Sequence, residues 1–214
     1  MPASANSYHH GDLPGALVRA AVELLENADV SELSLRAAAR RAGVSPAAPY
    51  RHFADRESLL SAVAAVGYRE LADTLSAAHP EPATVDDLAD IAVAYVRFAL
   101  TRTGLFRAMF AEPCDPGNPQ RTAAAQAIRQ YVSSSVERVF GGADREALSA
   151  GVWAFVHGLA FLHLDGKFDA TSAEAVDDRV RAAVHALLGV RSAVAVQRPE
   201  SFALSSPDTA QISG

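Results

Sequence analysis

Between Leu35 and Arg56 the chain sets five arginines (Arg36, Arg40, Arg41, Arg51 and Arg56) and His52 against one carboxylate, Asp55. A guanidinium is a permanent cation with a planar fork of donors that fits phosphate oxygens. The rest of the chain has the opposite sign: residues 57–214 hold 13 basic groups against 19 acidic ones, and the whole chain carries −6. Such a balance argues against a nucleic-acid coat over the whole surface and singles out one segment. Other chemistry finds little support. His157 and His163 stand six residues apart, so a helix points them to different faces and they cannot chelate as an i, i+4 pair would. Cys114 is the one cysteine, with neither a disulfide partner nor a nearby base. "DGKFD" is too short for a calcium loop, and no glycine-rich phosphate loop follows a strand. No enzyme activity, cofactor or metal is expected.

The elements that must position this segment are helical throughout. Leu88, Ile91, Tyr95 and Phe98 recur at helical spacing, as do Val176, Val180, Ala183 and Leu187, and no alternating run reads as a strand. Capping residues divide the chain. Asp12 opens a first helix and Ser34 a second that ends at Gly43. Ser45 opens a third, with Pro46 at its first position and Pro49 inside its first turn. Asp55 opens a long fourth helix to about His79, and Thr84 a fifth to about Thr103. "GLFRAMFA" reads as a short helix, and three more follow at roughly 119–140, 144–165 and 172–188, about nine in all. From Arg191 the chain gains Ser and Pro and reads as a loosely ordered tail. The organisation expected is all-α: residues 1–58 an arm and head, 59–190 a larger helical body, 191–214 the tail. One cysteine, no secretory leader and no apolar stretch of bilayer length in "GVWAFVHGLAFLHL" suggest a cytoplasmic protein without a membrane partner.

Gly43 suits a left-handed turn between the second and third helices, with Val44 packing inward. Two short helices across such a turn make either an ordinary helical hairpin or a helix-turn-helix, whose second helix enters the DNA major groove. The arginines favour the second.

The stretch "LSLRAAARRAGVSPAAPYRHFADRESLL" resembles the DNA-binding region of the TetR family of bacterial transcriptional regulators. Its marks are Ser34 opening the second helix, "AARRAGVS", "YRHF" and Arg56. "YHHGDL" resembles one branch, and "WAFVHGLAFL" resembles that branch's C-terminal domain. The resemblance implies an operator-binding regulator, most simply a repressor released by a small molecule. The alternative is a helical protein-interaction module that has lost DNA binding. It implies phosphate contacts from Ser34, Tyr50, His52 and Arg56, with Pro46 to Pro49 facing the bases. Arg36 and Arg51 join on charge, Ser45 as the cap and Ala47 through a methyl that can meet thymine. The arm "SANSYHHG" is a further candidate for a neighbouring groove.

For the body the resemblance implies a homodimer built on the last two helices and an effector cavity. Ala147, Gly151, Ala154 and Gly158 form a stripe of small residues that lets another helix approach, and Val180, Val184 and Leu187 are expected beside it. Leu148, Val152, Phe155, Leu159 and Leu162 read as the core stripe of that helix. Phe98, Phe106, Met109, Phe110, Trp153, His157 and Phe161 are the expected cavity lining, although such aromatic groups also make plain core.

Overall fold

The computed structural model describes residues 12–111, 115, 117–142 and 144–196. The arm, Cys114 and the segment from residue 197 onward lie outside them. Among the described residues there are eight α-helices and no strand: α1 Leu13–Leu25, α2 Leu35–Arg41, α3 Arg56–Ala78, α4 Val85–Thr101, α5 Thr103–Met109, α6 Pro119–Phe140, α7 Arg145–Leu164 and α8 Ala173–Val196. Two 3-10 turns, Val30–Glu32 and Pro49–Arg51, complete the head. The last helix runs past the expected end near residue 188 and includes 191–196, where a loose tail was expected.

Local chemistry sets the helix starts. Asp12 accepts from the Gly15 amide at 3.0 Å, Ser34 from Ala37 at 3.1 Å, Asp55 from Ser58 at 2.8 Å and Thr84 from Asp87 at 3.1 Å. Each satisfies an amide that a helix start leaves open. At the end of α2, Gly43 takes φ +71°. The Val44 amide then reaches back to the Ala39 carbonyl at 3.0 Å, and the Gly43 amide to Arg40 at 3.3 Å. This paired closure stops the helix and turns Val44 toward the core.

Beyond the turn the expected third helix does not form. Residues 45–48 make a turn in which the Ser45 carbonyl accepts the Ala48 amide at 3.0 Å, and Pro49–Arg51 follow as a single 3-10 turn. The cause is two prolines three residues apart. Pro49 has no amide to give the Ser45 carbonyl, so the chain tightens to an i to i+3 bond. Ser45 therefore caps nothing, contrary to expectation, and Ala48 precedes the turn without a side-chain cap.

The head closes over Leu17, Ala21, Leu33, Ala38, Phe53 and Leu59, all buried. Arg56 belongs to this construction. Its Nε donates to the Leu33 carbonyl at 2.9 Å and one Nη to Val30 at 2.6 Å. The half-buried guanidinium thus ties the start of α3 to the loop before α2. This is a different post from the phosphate contact expected of it.

The second half of α3 enters the body, where it packs on α4, α5 and α6, while α4 packs on α7 and α8. Seven-residue α5 is wedged between head and body. At its start, a Cβ on Gly104 would overlap the Leu25 carbonyl oxygen and lie 2.9 Å from its carbon. Arg102, at the break before α5, bonds Glu26 at 3.2 Å and Glu70 at 3.0 Å. At the far end of α5, the Tyr68 hydroxyl donates to the Met109 carbonyl at 3.0 Å.

Two outcomes follow in thermal or urea unfolding. Gly104→Ala should cost about 1–3 kcal/mol, because neither side of the overlap is a flexible side-chain end. Arg56→Ala should cost about 1.5–3 kcal/mol through two lost charge-assisted bonds, while Arg51→Ala should stay within about 0.5 kcal/mol of the parent.

Candidate functional site

The side chains around the 3-10 turn point outward. Ser45, Pro46, Ala47, Arg51 and His52 are exposed, and Tyr50 is 53% exposed, uncommon for so large an aromatic residue. Pro49 and Phe53 are buried and anchor the turn from beneath. Arg36 and Arg40 on α2 are exposed, and Arg41 pairs with Glu23 at 2.8 Å. Ser34 is half-buried at its cap. The structure therefore presents a small, rigid, basic protrusion with a tyrosine at its tip. It can touch phosphates through Arg36, Arg51, Tyr50 and His52, and base edges through Ala47 and Arg51. Of the eight expected contact residues, Arg56 and Ser34 are engaged within the head.

The body carries a second candidate site. A cavity of about 40 Å³ lies between α3, α4, α6 and α7. Of the seven expected lining residues only Trp153 borders it. Phe98 lines a separate groove that α4 shares with α3 and α8. The others close on one another as packed core. Phe106 and Met109 are fully buried, and the Phe106 ring lies 5.1 Å from Phe110, 5.7 Å from Phe161 and 5.9 Å from His157, centre to centre. The sequence reading missed Tyr95, Leu88 and Ile91 as lining, although their spacing had placed them on one inward stripe. Tyr131 and Ser135 on α6 carried no such signal.

Tyr95 joins cavity and cluster. It borders the cavity, and its hydroxyl lies 2.9 Å from Nδ1 of His157 in the cluster. The tyrosine donates to the histidine when Nδ1 is the bare ring nitrogen and accepts from it in the other tautomer. Burial raises the Tyr95 pKa and lowers that of His157, which keeps both neutral at pH 7.

The outer face of α7 is open. Ala147, Gly151 and Ala154 are exposed, Gly158 is half-exposed, and a Cβ at Gly151 or Gly158 would meet nothing within 4 Å. The small residues are therefore not packed against the described residues of this chain. Leu162, expected in the core, is 39% exposed on α7, and Leu187 is 48% exposed on α8. Val180 and Val184, expected at the dimer face, are instead buried at 0% and 1% in their own chain's core. By length and composition α7 could cross a membrane, contrary to the sequence reading, yet only 22% of its most apolar window is buried in the chain.

His157 gives a pH signature. In the unfolded chain it titrates near pH 6.5, and in the folded chain lower, so below that value the unfolded state binds more protons. Stability should fall as pH drops from about 6.5 toward the lowered pKa. His157→Gln should flatten the midpoint-against-pH curve over that range.

Comparison with known proteins places this geometry. Residues 17–63 match the family described as Bacterial regulatory proteins, tetR family, and residues 88–187 match the Tetracyclin repressor-like, C-terminal domain. An uncharacterized HTH-type transcriptional regulator of Haemophilus influenzae is 32% identical over 127 residues. The match takes in 58% of this chain and 62% of that relative's length. A Rhodococcus sp. RHA1 structure of a protein with unknown function superposes with TM-score 0.69 at 32% identity, covering 84% of this chain and 97% of that one. A TetR family transcriptional regulator from Thermus thermophilus shares the fold at TM-score 0.59 and 18% identity, over 80% and 93% of the two chains. From the serine-capped head through the last helices of the body, the chain belongs to the TetR family of bacterial regulatory proteins.

Proposed function

We propose that this protein is a cytoplasmic, homodimeric, non-enzymatic transcriptional regulator that binds an operator through its head and is released by a small molecule held in its body. The observation that carries the reading is the exposed turn bearing Ala47, Tyr50, Arg51 and His52, on a head whose core and caps hold it rigid. Arg36, Arg51, Tyr50 and His52 take phosphates, and Ala47 and Arg51 meet base edges, with DNA shape contributing where methyls make no hydrogen bonds. Ser34 and Arg56 act by fixing the head. Family relatives make repression the natural outcome, an argument by analogy.

Dimerisation follows from the open face of α7. An apolar helix left mostly uncovered by its own chain needs another surface, and the empty space above Gly151 and Gly158 suits a second copy of α7 related by a two-fold axis. Leu162 on α7 and Leu187 on α8 are exposed and available to such an interface, while Val180 and Val184 lie in the core of their own chain. Two heads related in this way address two half-sites about 34–36 Å apart or a multiple of that. An effector preferring the wrong head spacing would release the DNA.

In vitro selection of bound duplexes tests the proposal. The expected result is an inverted repeat with half-sites spaced by whole turns, bound with an affinity that falls steeply with salt. Arg36→Ala should weaken all sequences and reduce that slope by about one unit. Failure to enrich any sequence would leave a helical interaction module instead.

A further inference from the structure

The cavity between α3, α4, α6 and α7 also restricts what can occupy it. We infer that the effector is an uncharged, largely hydrocarbon molecule with at most a hydroxyl-type donor, an inference that rests on reading this cavity as the effector site. Its walls are aliphatic and aromatic: Leu75, Leu88, Ile91, Val132 and Val156 with the rings of Tyr95 and Trp153, and among the described residues no charged side chain borders it.

The hydroxyls in those walls already have partners. The Tyr131 hydroxyl gives its hydrogen toward the His79 carbonyl at 2.6 Å, with the Leu75 carbonyl at 2.9 Å. Ser135 donates to the Tyr131 carbonyl at 2.7 Å. The Tyr95 hydroxyl is engaged with Nδ1 of His157 at 2.9 Å. What remains on the hydroxyls is acceptor capacity at Ser135 and Tyr131, which suits a hydroxyl hydrogen and gives a carboxylate neither a donor nor a counter-charge.

The charges near this region serve other surfaces. Asp90, Arg97 and Arg181 border the separate groove, where Arg97 pairs with Asp177 and Arg181 with Asp90. An ion entering the cavity would lose its hydration without meeting a counter-charge, a penalty of several kcal/mol. A neutral hydrocarbon would meet dispersion contacts on every side.

Size adds a consequence. A cavity of about 40 Å³ is far below the roughly 150 Å³ void that admits benzene in a protein core. Occupancy therefore displaces a wall. Trp153, the one tryptophan of the chain, stands half-buried at the edge and reports that displacement through its emission.

The test titrates the full-length protein at pH 7 with three compounds of one shape: cyclohexylmethanol, cyclohexanecarboxylate and cyclohexylmethylamine. The expected result is a saturable change in Trp153 emission with the alcohol and a Kd at least tenfold weaker for each ion. Ala92→Leu fills the cavity from α4 and Val132→Phe from α6; whichever variants retain the parent circular dichroism should raise the alcohol's Kd at least tenfold. If an ion binds as tightly as the alcohol and the filling variants abolish both, the cavity stands as the site and the neutral class is overturned. If the filling variants leave alcohol binding unchanged, the cavity itself is not the site and the inference falls with it. The absence of a saturable response to all three compounds also overturns it. DNA selection is unaffected by any of these results.

Discussion

The seam on which the structure depends is the close approach of α5 to the end of α1. Gly104 lies so near the Leu25 carbonyl that no side chain fits, and Arg102 holds Glu26 of the head and Glu70 of the body with one guanidinium. Around this contact α3 is continuous through both parts, from Arg56 in the head to Leu75 beside the cavity. The opposite end of the wedge carries Phe106, Met109 and Phe110 into the aromatic cluster around His157. Head and body are thus joined by closely packed backbone at this contact. That is the physical condition for coupling two distant sites.

The same economy governs the charges. The basic stretch reads as five arginines, but they do different work. Arg56 is a strut between α3 and the loop before α2, and Arg41 pairs with Glu23. Arg36, Arg40 and Arg51 stand exposed beside Tyr50 and His52. An acidic body behind a basic tip repels a duplex except where the tip meets it, which favours one orientation of approach. In the body, burial raises the Tyr95 pKa and lowers that of His157, so this contacting pair is polar without being charged.

Much of this was legible in the sequence because it is local. The caps at Asp12, Ser34, Asp55 and Thr84 each involve residues three apart, and the Gly43 closure involves six consecutive ones. Ser45 failed by the same logic turned around: two prolines, read separately as tolerable, together removed the amides that a helix start needs. What the sequence could not show was which side of a doubly apolar helix faces home. Val180, Val184 and Leu187 share a helical repeat, yet only Leu187 points out, because α8 lies across α4. Leu162 was misassigned for the same reason. The void lies away from most of the expected lining because Phe106, Phe110 and Phe161 pack on one another, leaving it to aliphatic residues of α4 and α6 with Tyr95, Tyr131 and Trp153. Arg56 was recognisable as important by its position, but its partners are carbonyls 23 and 26 residues away.

The claim that head and body form one mechanical unit is tested most directly by native-state hydrogen exchange on the full chain. The account predicts that the slowest amides of α1 and α2 open with a free energy within about 1 kcal/mol of the slowest amides of α4, as parts of one cooperative unit do. A head that opens several kcal/mol more easily than the body would contradict it, because a contact that does not hold α1 in place cannot carry a signal to the turn at Tyr50.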